Sequence, residues 1–464
     1  MPLYLITKTM YSDMASRSVH MLSLFLVIFL VLISITPPLQ SPDEYDHVKR
    51  AYALGEGTVF FKPLGNQSSG AMIDDGLIKY INLYEPLGLD PERKVNAKDS
   101  EIAHELRWEG TKSFSATPAT AFYFPLIYAP QAFALKLGNL IGLSINQSYY
   151  LTRFVTSATA LVIIGIAFAI TAPSPVALAL LAMPMSVYQF SSTSLDGIAT
   201  ALSVLVISIF LKLFRDPPNT NKKLFWLALA SFGLLASSRL QLLPLFLLFF
   251  VLFIRDKNKV QFTGALIALG LVCTWILVAG KYTIDHRVPS AISSGQVALA
   301  YVQNPLSLFQ VIWNTLTDEP TLRGYFSSFL GMLGWLTAPF PGRTYIYLAI
   351  AMLAVGSASL SVKYIKANWQ VIVLFLLIAL VSVFLILFAM LTTWTPYPSD
   401  KIIGVQGRYF LIPVILMSYA LFPPITQLTH HRSLSAHVLV LGFALYSLFM
   451  TTNLLLSRYY IAIS

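Results

Sequence analysis

Residues 21–35 read MLSLFLVIFLVLISI, and residues 37–51, which follow almost directly, read PPLQSPDEYDHVKRA. The first stretch is almost entirely apolar and is typical of a segment that enters a bilayer. The second gathers acids, a histidine and bases at the end of that segment. Ionisable groups are costly in a membrane unless they face water or one another, so a cluster at this place indicates a functional site.

The composition predicts an all-α, polytopic transmembrane helical bundle. Of the 464 residues, 56% are hydrophobic and only 11% are charged, whereas a soluble domain carries about 25% charged residues. Many apolar runs approach the roughly 20 residues that cross a bilayer. No internal repeat or soluble domain is visible, so residues 1–464 are predicted to form a single integral membrane domain.

The net charge of +10 does not indicate nucleic-acid binding, because the bases lie in short clusters between apolar runs. Such clusters are typical of cytoplasmic loops. The single cysteine, Cys273, excludes a disulfide framework and a thiolate metal site. No zinc-hydrolase motif or Walker loop is present. The basic clusters are Lys212, Arg215, Lys222 and Lys223; Arg255, Lys257 and Lys259; and Lys363 and Lys366.

The basic clusters, taken as cytoplasmic, predict about eleven spans with a periplasmic C-terminus. Lys8 and Arg17 precede the first span and predict a cytoplasmic N-terminus. Two large outer segments, 39–149 and 281–342, are predicted to carry amphipathic interfacial helices rather than further crossings. The predicted spans are 20–38, 150–171, 174–191, 196–214, two short helices within 224–254, 260–280, 343–362, 369–393, 406–426 and 434–456.

The long apolar stretch 224–254 has a basic cluster at each end. One helix would put the second cluster outside, whereas two short helices keep both inside, with an outward turn near 237–241. Each helix would have about 15 residues and measure roughly 23 Å, less than the thickness of the bilayer core. Arg239, in the turn, is therefore predicted to lie below the outer surface in a cavity lined by water or protein.

Residues 41–44 have the pattern of a capping box, with Ser41 as N-cap and Glu44 at the third helical position. The helix is predicted to run to about Leu54, with Asp46 and Arg50 paired at i,i+4. Asp43 shares a helix face with His47 and Arg50. Asp43 is therefore either a capping or solvated acid or a general base toward a sugar hydroxyl.

Three further residues lie at predicted outer span ends. Asp196 either caps the helix that follows or is a second acid that binds an acceptor hydroxyl or a cation. Arg408 either extends to the interface or, together with Arg239, grips a phosphate. Arg323 follows an acidic pair, 318–319, and either forms a salt bridge with it or adds to phosphate binding.

Four motifs, in this order and spacing, resemble a family of bacterial membrane proteins catalogued as domain of unknown function 2142. That family is similar in layout to the GT-C glycosyltransferases, which take sugars from polyprenyl-phosphate carriers. The resemblance covers nearly the whole chain and implies a GT-C-like fold. The motifs are SPDEYDHVKRAYAL (41–54), SLDG (194–197), SSFLGMLGWLTAPFP (327–341) and GVQGRYFLIP (404–413).

The resemblance implies a glycosyltransferase of the bacterial inner membrane. It would move a sugar from an undecaprenyl- or polyprenyl-phosphate-linked donor to an envelope glycan or lipid-linked acceptor on the outer side, with inversion. Asp43 would be the general base, with Glu44 in reserve and Asp196 as the second acid. The resemblance makes Arg239 and Arg408 the candidates for holding the donor phosphate. His47, Arg50, Arg323 and Tyr409 are added from the sequence as candidate substrate-binding residues.

Two alternatives remain open on the sequence, namely a flippase for lipid-linked sugars and a non-catalytic envelope-assembly protein. A transporter would favour an internal repeat and ionisable groups near the bilayer midplane. No cofactor or metal ligand set is predicted. Asp196 stands alone rather than in a D-x-D pair, so a divalent cation at this position is left open.

Overall fold

The computed structural model describes residues 20–287 and 292–461. These residues are mainly helical and include two small antiparallel sheets, so the predicted all-α class is confirmed. Lys8 and Arg17, which carry the prediction of a cytoplasmic N-terminus, lie outside the described residues. The helices of the first half are α1 (His20–Ile35), α2 (Glu44–Gly55), α3 (Asp75–Leu89), α4 (Ala97–Glu105), α5 (Ala129–Leu140), α6 (Ile145–Ile170), α7 (Pro175–Leu181), α8 (Pro184–Phe190), α9 (Leu195–Arg215), α10 (Lys222–Ser238) and α11 (Phe246–Asp256).

The second half continues this helical pattern with both long and short elements. Its helices are α12 (Lys259–Tyr282), α13 (Ser294–Gln303), α14 (Pro305–Leu316), α15 (Glu319–Gly331), α16 (Gly342–Ser359), α17 (Val362–Ala367), α18 (Trp369–Thr393), α19 (Leu411–Leu421) and α20 (His430–Tyr459). Short 3-10 helices cover Pro125–Tyr128, Leu240–Leu245, Gly407–Phe410 and Ile425–Gln427. The strands are β1 (Gly70–Asp74) paired with β2 (Lys112–Ala116), and β3 (Met332–Leu333) paired with β4 (Ala338–Pro339).

Within the described residues, 6 helical stretches are long and apolar enough to cross a membrane. They are α6, α9, α12, α18, α20 and the stretch Gly407–Gln427, which contains α19. Helix α1 is apolar but shorter. All of these coincide with predicted spans, while the total of eleven stays a prediction.

The predicted span 174–191 is not one helix. It consists of α7 and α8, and Pro184 begins the second. A proline lacks the N–H that would continue the preceding helix, so the chain breaks there. The predicted span therefore corresponds to two short helices, a break that was not predicted from the sequence.

The stretch 224–254 does form two helices, as predicted. Helix α10 ends at Ser238 and α11 begins at Phe246, with the 3-10 turn Leu240–Leu245 between them. Arg239 lies in the break, where its backbone is extended (φ −133°). The break therefore directs a charged side chain toward the site described below.

In their described residues, the two segments predicted to lie outside contain only short elements. Helix α5 has 12 residues and measures about 18 Å, too short to cross a bilayer core. Pro125 opens a 3-10 turn ahead of it and Pro130 lies in its first turn. In the second outer segment, α15 ends at Gly331 and the β3–β4 pair follows.

The long helices connect two chemically different ends of the bundle. At the basic end, Arg215 Nη2 donates to Tyr364 Oη over 3.2 Å, and Arg432 Nε donates to the Ala358 carbonyl over 3.1 Å. These contacts bring predicted cytoplasmic loops together. At the opposite end, which we call the site end, Arg458 of α20 donates to the Leu87 carbonyl over 2.6 Å. The end of α20 therefore lies beside the first outer segment.

Helix α9 is the central helix, and it packs against α6 and α10. Nearly all of its residues are buried. It begins at the site end with Leu195 and Asp196 and ends at the basic end with Arg215. A helix buried on all sides is a rigid support, so it fixes the height of Asp196 in the bundle.

Candidate active site

Four charged residues from separate parts of the chain meet at the site end. Arg408 Nη2 lies 3.0 Å from Asp43 Oδ2, and its Nη1 lies 3.3 Å from Asp196 Oδ2. Arg239 Nη2 forms an ion pair with Asp196 Oδ1. We call Asp43, Asp196, Arg239 and Arg408 the charged cluster. The sequence named all four as candidates and paired only Arg239 with Arg408, and the fold brings the four together.

Asp43 occupies the N-cap position of α2 in a left-handed conformation (φ 58°, ψ 11°) without a side-chain capping bond. The predicted capping box with Ser41 as N-cap is therefore wrong, although the Ser41 N–H does donate to Glu44 Oε2 over 3.0 Å. Left-handed backbone is uncommon for residues other than glycine, and it concentrates at functional sites. This conformation leaves the Asp43 side chain 36% exposed, the most open of the cluster.

The charge state of Asp43 follows from two opposing effects. Burial raises the pKa of this carboxyl, but the charge and hydrogen bond of Arg408, together with smaller effects of His47 and Arg287, hold the pKa below its ordinary value. Burial also lowers the pKa of His47 to about 3. Asp43 is therefore ionised and His47 is neutral at physiological pH.

Arg239 is held by an aromatic residue that the sequence did not indicate. Its Nη1 donates to Tyr123 Oη over 3.1 Å, and its guanidinium carbon lies 5.0 Å from the centre of the Tyr123 ring. The same ring stacks on His47 at 6.4 Å, and His47 Nδ1 lies 2.7 Å from Tyr128 Oη. The half-buried ring of Tyr123, backed by the buried rings of His47 and Tyr128, therefore supports Arg239.

Arg408 is positioned by the glycine before it. The Gly407 N–H donates to Ser328 Oγ over 2.8 Å. A Cβ on Gly407 would lie 2.0 Å from the Tyr325 carbonyl oxygen and 2.3 Å from the Phe329 nitrogen. Only glycine permits this approach to α15, and it sets Arg408 almost fully buried, with 3% of its side chain exposed.

Glu44 has a different environment from Asp43. Its carboxylate is fully buried and pairs with Arg153 at 3.3 Å. It also accepts from Tyr149 Oη and from the Thr193 N–H, each over 2.8 Å. Burial raises the pKa of Glu44, but Arg153 and the backbone N–H groups of Thr193 and Ser41 together lower it below its ordinary value. Glu44 thus ties α2 and α6 to the turn before α9, which sets Asp43 and Asp196 side by side.

Arg50 and Asp46 do not form the predicted i,i+4 pair. Arg50 Nη2 donates to the Tyr123 carbonyl over 2.8 Å, and its guanidinium lies 4.3 Å from the Phe61 ring centre. Asp46 instead lies 3.5 Å from Lys49 Nζ and accepts from the Ala119 N–H over 3.1 Å. Both side chains are buried. The side-chain partners of Arg50 are distant in sequence, whereas Asp46 combines a local ion pair at i,i+3 with a distant backbone N–H.

Two further predicted binding residues lie in different places. Tyr409 is half-buried next to the cluster, with its ring centre 5.4 Å from the Arg408 guanidinium carbon. Arg323 is exposed and pairs with Glu319 at 2.5 Å. The salt-bridge alternative for Arg323 is therefore the one seen, and the structure does not bring this residue into the cluster.

Sequence reasoning missed Arg153 and Tyr123. Arg153 offered a signal, because an arginine within the apolar run 145–170 needs a buried partner. Tyr123 offered none, since tyrosines are common near span ends.

Among residues 20–287 and 292–461, no group of three or more His, Cys, Asp or Glu side chains is gathered to hold a metal ion.

Comparison with protein families gives a clear match. The family model "Predicted membrane protein (DUF2142)" matches residues 24–418. The chain belongs to this family. The sequence resemblance to that family is thereby confirmed, and no curated protein matches the chain.

Two solved structures of ArnT from Cupriavidus metallidurans also match this family member, each with 14% sequence identity and a TM-score of 0.30. The apo structure covers 81% of this chain and 77% of ArnT. The structure bound to undecaprenyl phosphate covers 94% of this chain and 77% of ArnT. Similarity at this level assigns no activity, so the GT-C layout stays a prediction.

Proposed function

We propose that the protein is a membrane glycosyltransferase that uses a polyprenyl-phosphate-linked sugar donor. The observation that carries this proposal is the convergence of Asp43 and Asp196 with Arg239 and Arg408 at the site end. A transferase of this kind needs one open, ionised carboxylate and cations for a phosphate leaving group. The charged cluster offers both within one contiguous set of ion pairs.

Asp43 is the general base in this mechanism. Its carboxylate is the most exposed of the cluster, and its pKa is held low by Arg408 after burial has raised it. The acceptor hydroxyl oxygen attacks the anomeric carbon while its proton passes to Asp43. Attack from the face opposite the leaving group inverts the anomeric configuration, and a product of retained configuration would exclude this single displacement.

Arg239 and Arg408, which we call the arginine pair, bind the donor phosphate. As the bond between the anomeric carbon and the phosphate oxygen breaks, the electron pair stays on that oxygen. Guanidinium groups stabilise this developing charge most strongly where water is excluded, and only 11% and 3% of the two side chains is exposed. Polyprenyl phosphate then leaves.

We assign Glu44 to positioning rather than to the role of reserve base. Its carboxylate is surrounded by Arg153, Tyr149 and Thr193 and has no exposed surface. His47 and Arg50 are likewise assigned to positioning. His47 contacts Tyr128 Oη, and Arg50 donates to the carbonyl of Tyr123, the residue that holds Arg239. Tyr409 remains a candidate contact for the sugar. The acceptor is proposed to be an envelope glycan or a lipid-linked saccharide on the periplasmic side.

The test is glycan and lipid analysis of cells that lack the chromosomal copy and express wild type, Asp43→Asn or Arg408→Gln at equal membrane levels. The matched controls are Asp216→Asn and Arg255→Gln, which alter ion pairs at the basic end. We expect both cluster variants to lose one sugar from an envelope polymer and to accumulate the lipid-linked donor on the outer leaflet. An unchanged polymer in Asp43→Asn would favour an assembly protein, and donor trapped on the cytoplasmic leaflet would favour a flippase.

A further inference from the structure

The Asp196 carboxylate bridges the arginine pair. Its Oδ1 pairs with Arg239, and its Oδ2 lies 3.3 Å from Arg408 Nη1. Asp196 itself has 12% of its side chain exposed. Two guanidiniums from separate elements therefore converge on a single group that presents two oxygens and one negative charge.

A phosphodiester presents the same features to its surroundings. It has two free oxygens and one negative charge, and arginine forks match such a group. The position between the two guanidiniums is therefore already filled by an anion of the kind that the donor would bring. A phosphate offers more oxygens than a carboxylate. Arg408 Nε is buried and has no hydrogen-bond partner among the residues that the structure describes.

The position of Asp196 on α9 favours a negative charge even apart from the arginine pair. It lies in the first turn of α9, where its own N–H donates to the Ser194 side chain over 3.0 Å. The amino end of a helix favours a negative charge in that turn. If the carboxylate moved off the arginine pair, the amino end of α9 would therefore still stabilise its charge.

We propose that Asp196 is an internal competitor for the phosphate site. It neutralises the arginine pair between turnovers, yields to the phosphodiester of the donor, and returns to displace the product. Asp196 and the phosphodiester of the donor each carry one negative charge, so exchanging one for the other leaves the net charge beside the arginine pair unchanged. The product is a phosphate monoester that carries a charge of about −1.5 to −2 at pH 7, so it would hold the pair more tightly and needs an anion to release it.

This inference rests on the proposed function and is tested with undecaprenyl phosphate as the probe. Its affinity is measured for the purified full-length protein in lipid nanodiscs, for wild type, Asp196→Asn and the control Asp216→Asn. We expect Asp196→Asn to bind about tenfold more tightly, because the probe no longer competes with a charged group, and we expect the control to bind as wild type does. Equal or weaker binding by Asp196→Asn would overturn the inference.

A charge-balanced variant covers the case in which Asp196→Asn does not fold. Asp196→Asn combined with Arg239→Gln keeps the net charge of the cluster, and its affinity is compared with that of Arg239→Gln alone. The double variant should bind more tightly, since Arg408 is freed from Asp196, and equal affinity would contradict the inference. If wild type shows no binding, the proposed function fails too. If Arg239→Gln weakens binding but Asp196→Asn does not strengthen it, only the competitor role fails.

Discussion

At the scale of single residues, two acids at the start of α2 differ in exposure and in the direction of their pKa shifts. Asp43 is open and its pKa is held low by Arg408 against the effect of burial. Asp46, three residues later, is almost fully buried, and burial raises its pKa to about 6 despite Lys49. The first is suited to accept a proton during reaction, and the second imposes a cost on the fold when it is ionised.

The raised pKa of Asp46 predicts a pH-dependent effect on stability. The pKa of Asp46 is about 6 in the folded protein and near 3.8 in the unfolded chain, so the folded protein binds this proton more tightly. The free-energy cost of burying the ionised carboxylate is therefore fully present above about pH 6 and declines as the pH falls toward 4. Asp46→Asn mimics the neutral form. It should therefore unfold at a higher temperature than wild type at pH 8, with a gain of roughly 1–3 kcal/mol.

This gain should shrink when melting is repeated in detergent at pH 5. A lower melting temperature for Asp46→Asn at pH 8 would mean that the ion pair with Lys49 outweighs burial. Asp216→Asn, at the basic end, is the control and should show little change at either pH.

Glu44 gives a second prediction at this scale. Glu44→Gln leaves Arg153 buried without its counter-charge, and breaking a buried ion pair in this way costs about 3–5 kcal/mol. We expect a large loss of melting temperature in detergent. Glu56→Gln, which affects half-exposed pairs with Lys112 and Lys136, should cause a much smaller loss. Equal losses would show that the Glu44 pair contributes no more than a surface pair.

The sequence named the four members of the charged cluster as candidates because ionisable residues at span ends are conspicuous, but their ion pairs are visible only in the fold. The sequence misplaced the cap of α2, because the helix begins only at Glu44, after the left-handed Asp43, and Ser41 Oγ has no partner among the described residues. The Ser41 N–H does donate to Glu44, but Glu44 also has partners more than a hundred residues away, on α6 and before α9. A capping box is a local sequence pattern, and it gives no sign that the Glu44 carboxylate also forms an ion pair with the buried Arg153. The same applies to Arg50, whose partner is the Tyr123 carbonyl and not Asp46.

At the scale of secondary-structure elements, breaks in helices place the charges. Arg239 lies between α10 and α11, and Arg408 lies in the 3-10 turn before α19. The sequence predicted the first break from charge parity and helix length. It did not predict the break within 174–191, where the apolar pattern continues through Pro184. Hydropathy indicates where a span lies but not whether its helix is continuous.

The contact at Gly407 predicts the effect of one methyl group. Gly407→Ala would force the chain away from α15, because the new Cβ would meet the Tyr325 carbonyl and the Phe329 nitrogen. We expect the loss of sugar transfer in the cellular assay to approach that of Arg408→Gln. Gly442→Ala in α20 is the control, since its Cβ would meet open space. Full activity of Gly407→Ala at normal expression would show that the position of Arg408 does not depend on this contact.

At the scale of the whole molecule, the basic loops and the charged cluster lie at opposite ends of the bundle. The basic loops contact one another at one end through residues such as Arg215 and Arg432, while the charged cluster lies at the other end beside the first outer segment. This arrangement agrees with the relative topology derived from the basic clusters. The absolute orientation in the membrane and the total of eleven spans remain predictions.

Labelling of single cysteines tests the orientation. Cys273 is exposed, so it is first replaced by serine, and a cysteine is then introduced at Lys98 in α4 or at Lys363 in α17, both exposed. A membrane-impermeant maleimide added to spheroplasts should label Lys98→Cys but not Lys363→Cys until the membrane is opened. The reverse pattern would place the charged cluster on the cytoplasmic side.

The most direct test of the proposed sugar transfer is the release of undecaprenyl phosphate. Purified wild type and Asp43→Asn are reconstituted separately with a lipid and glycan extract from cells that lack the protein. Mass spectrometry then follows the lipid-linked donor and free undecaprenyl phosphate. We predict that wild type consumes the donor and releases undecaprenyl phosphate, whereas Asp43→Asn is slower by about 10²-fold or more because the general base is lost. Equal release of undecaprenyl phosphate by both proteins would contradict the assignment of Asp43 as the general base. No release by wild type would contradict the proposed transferase activity.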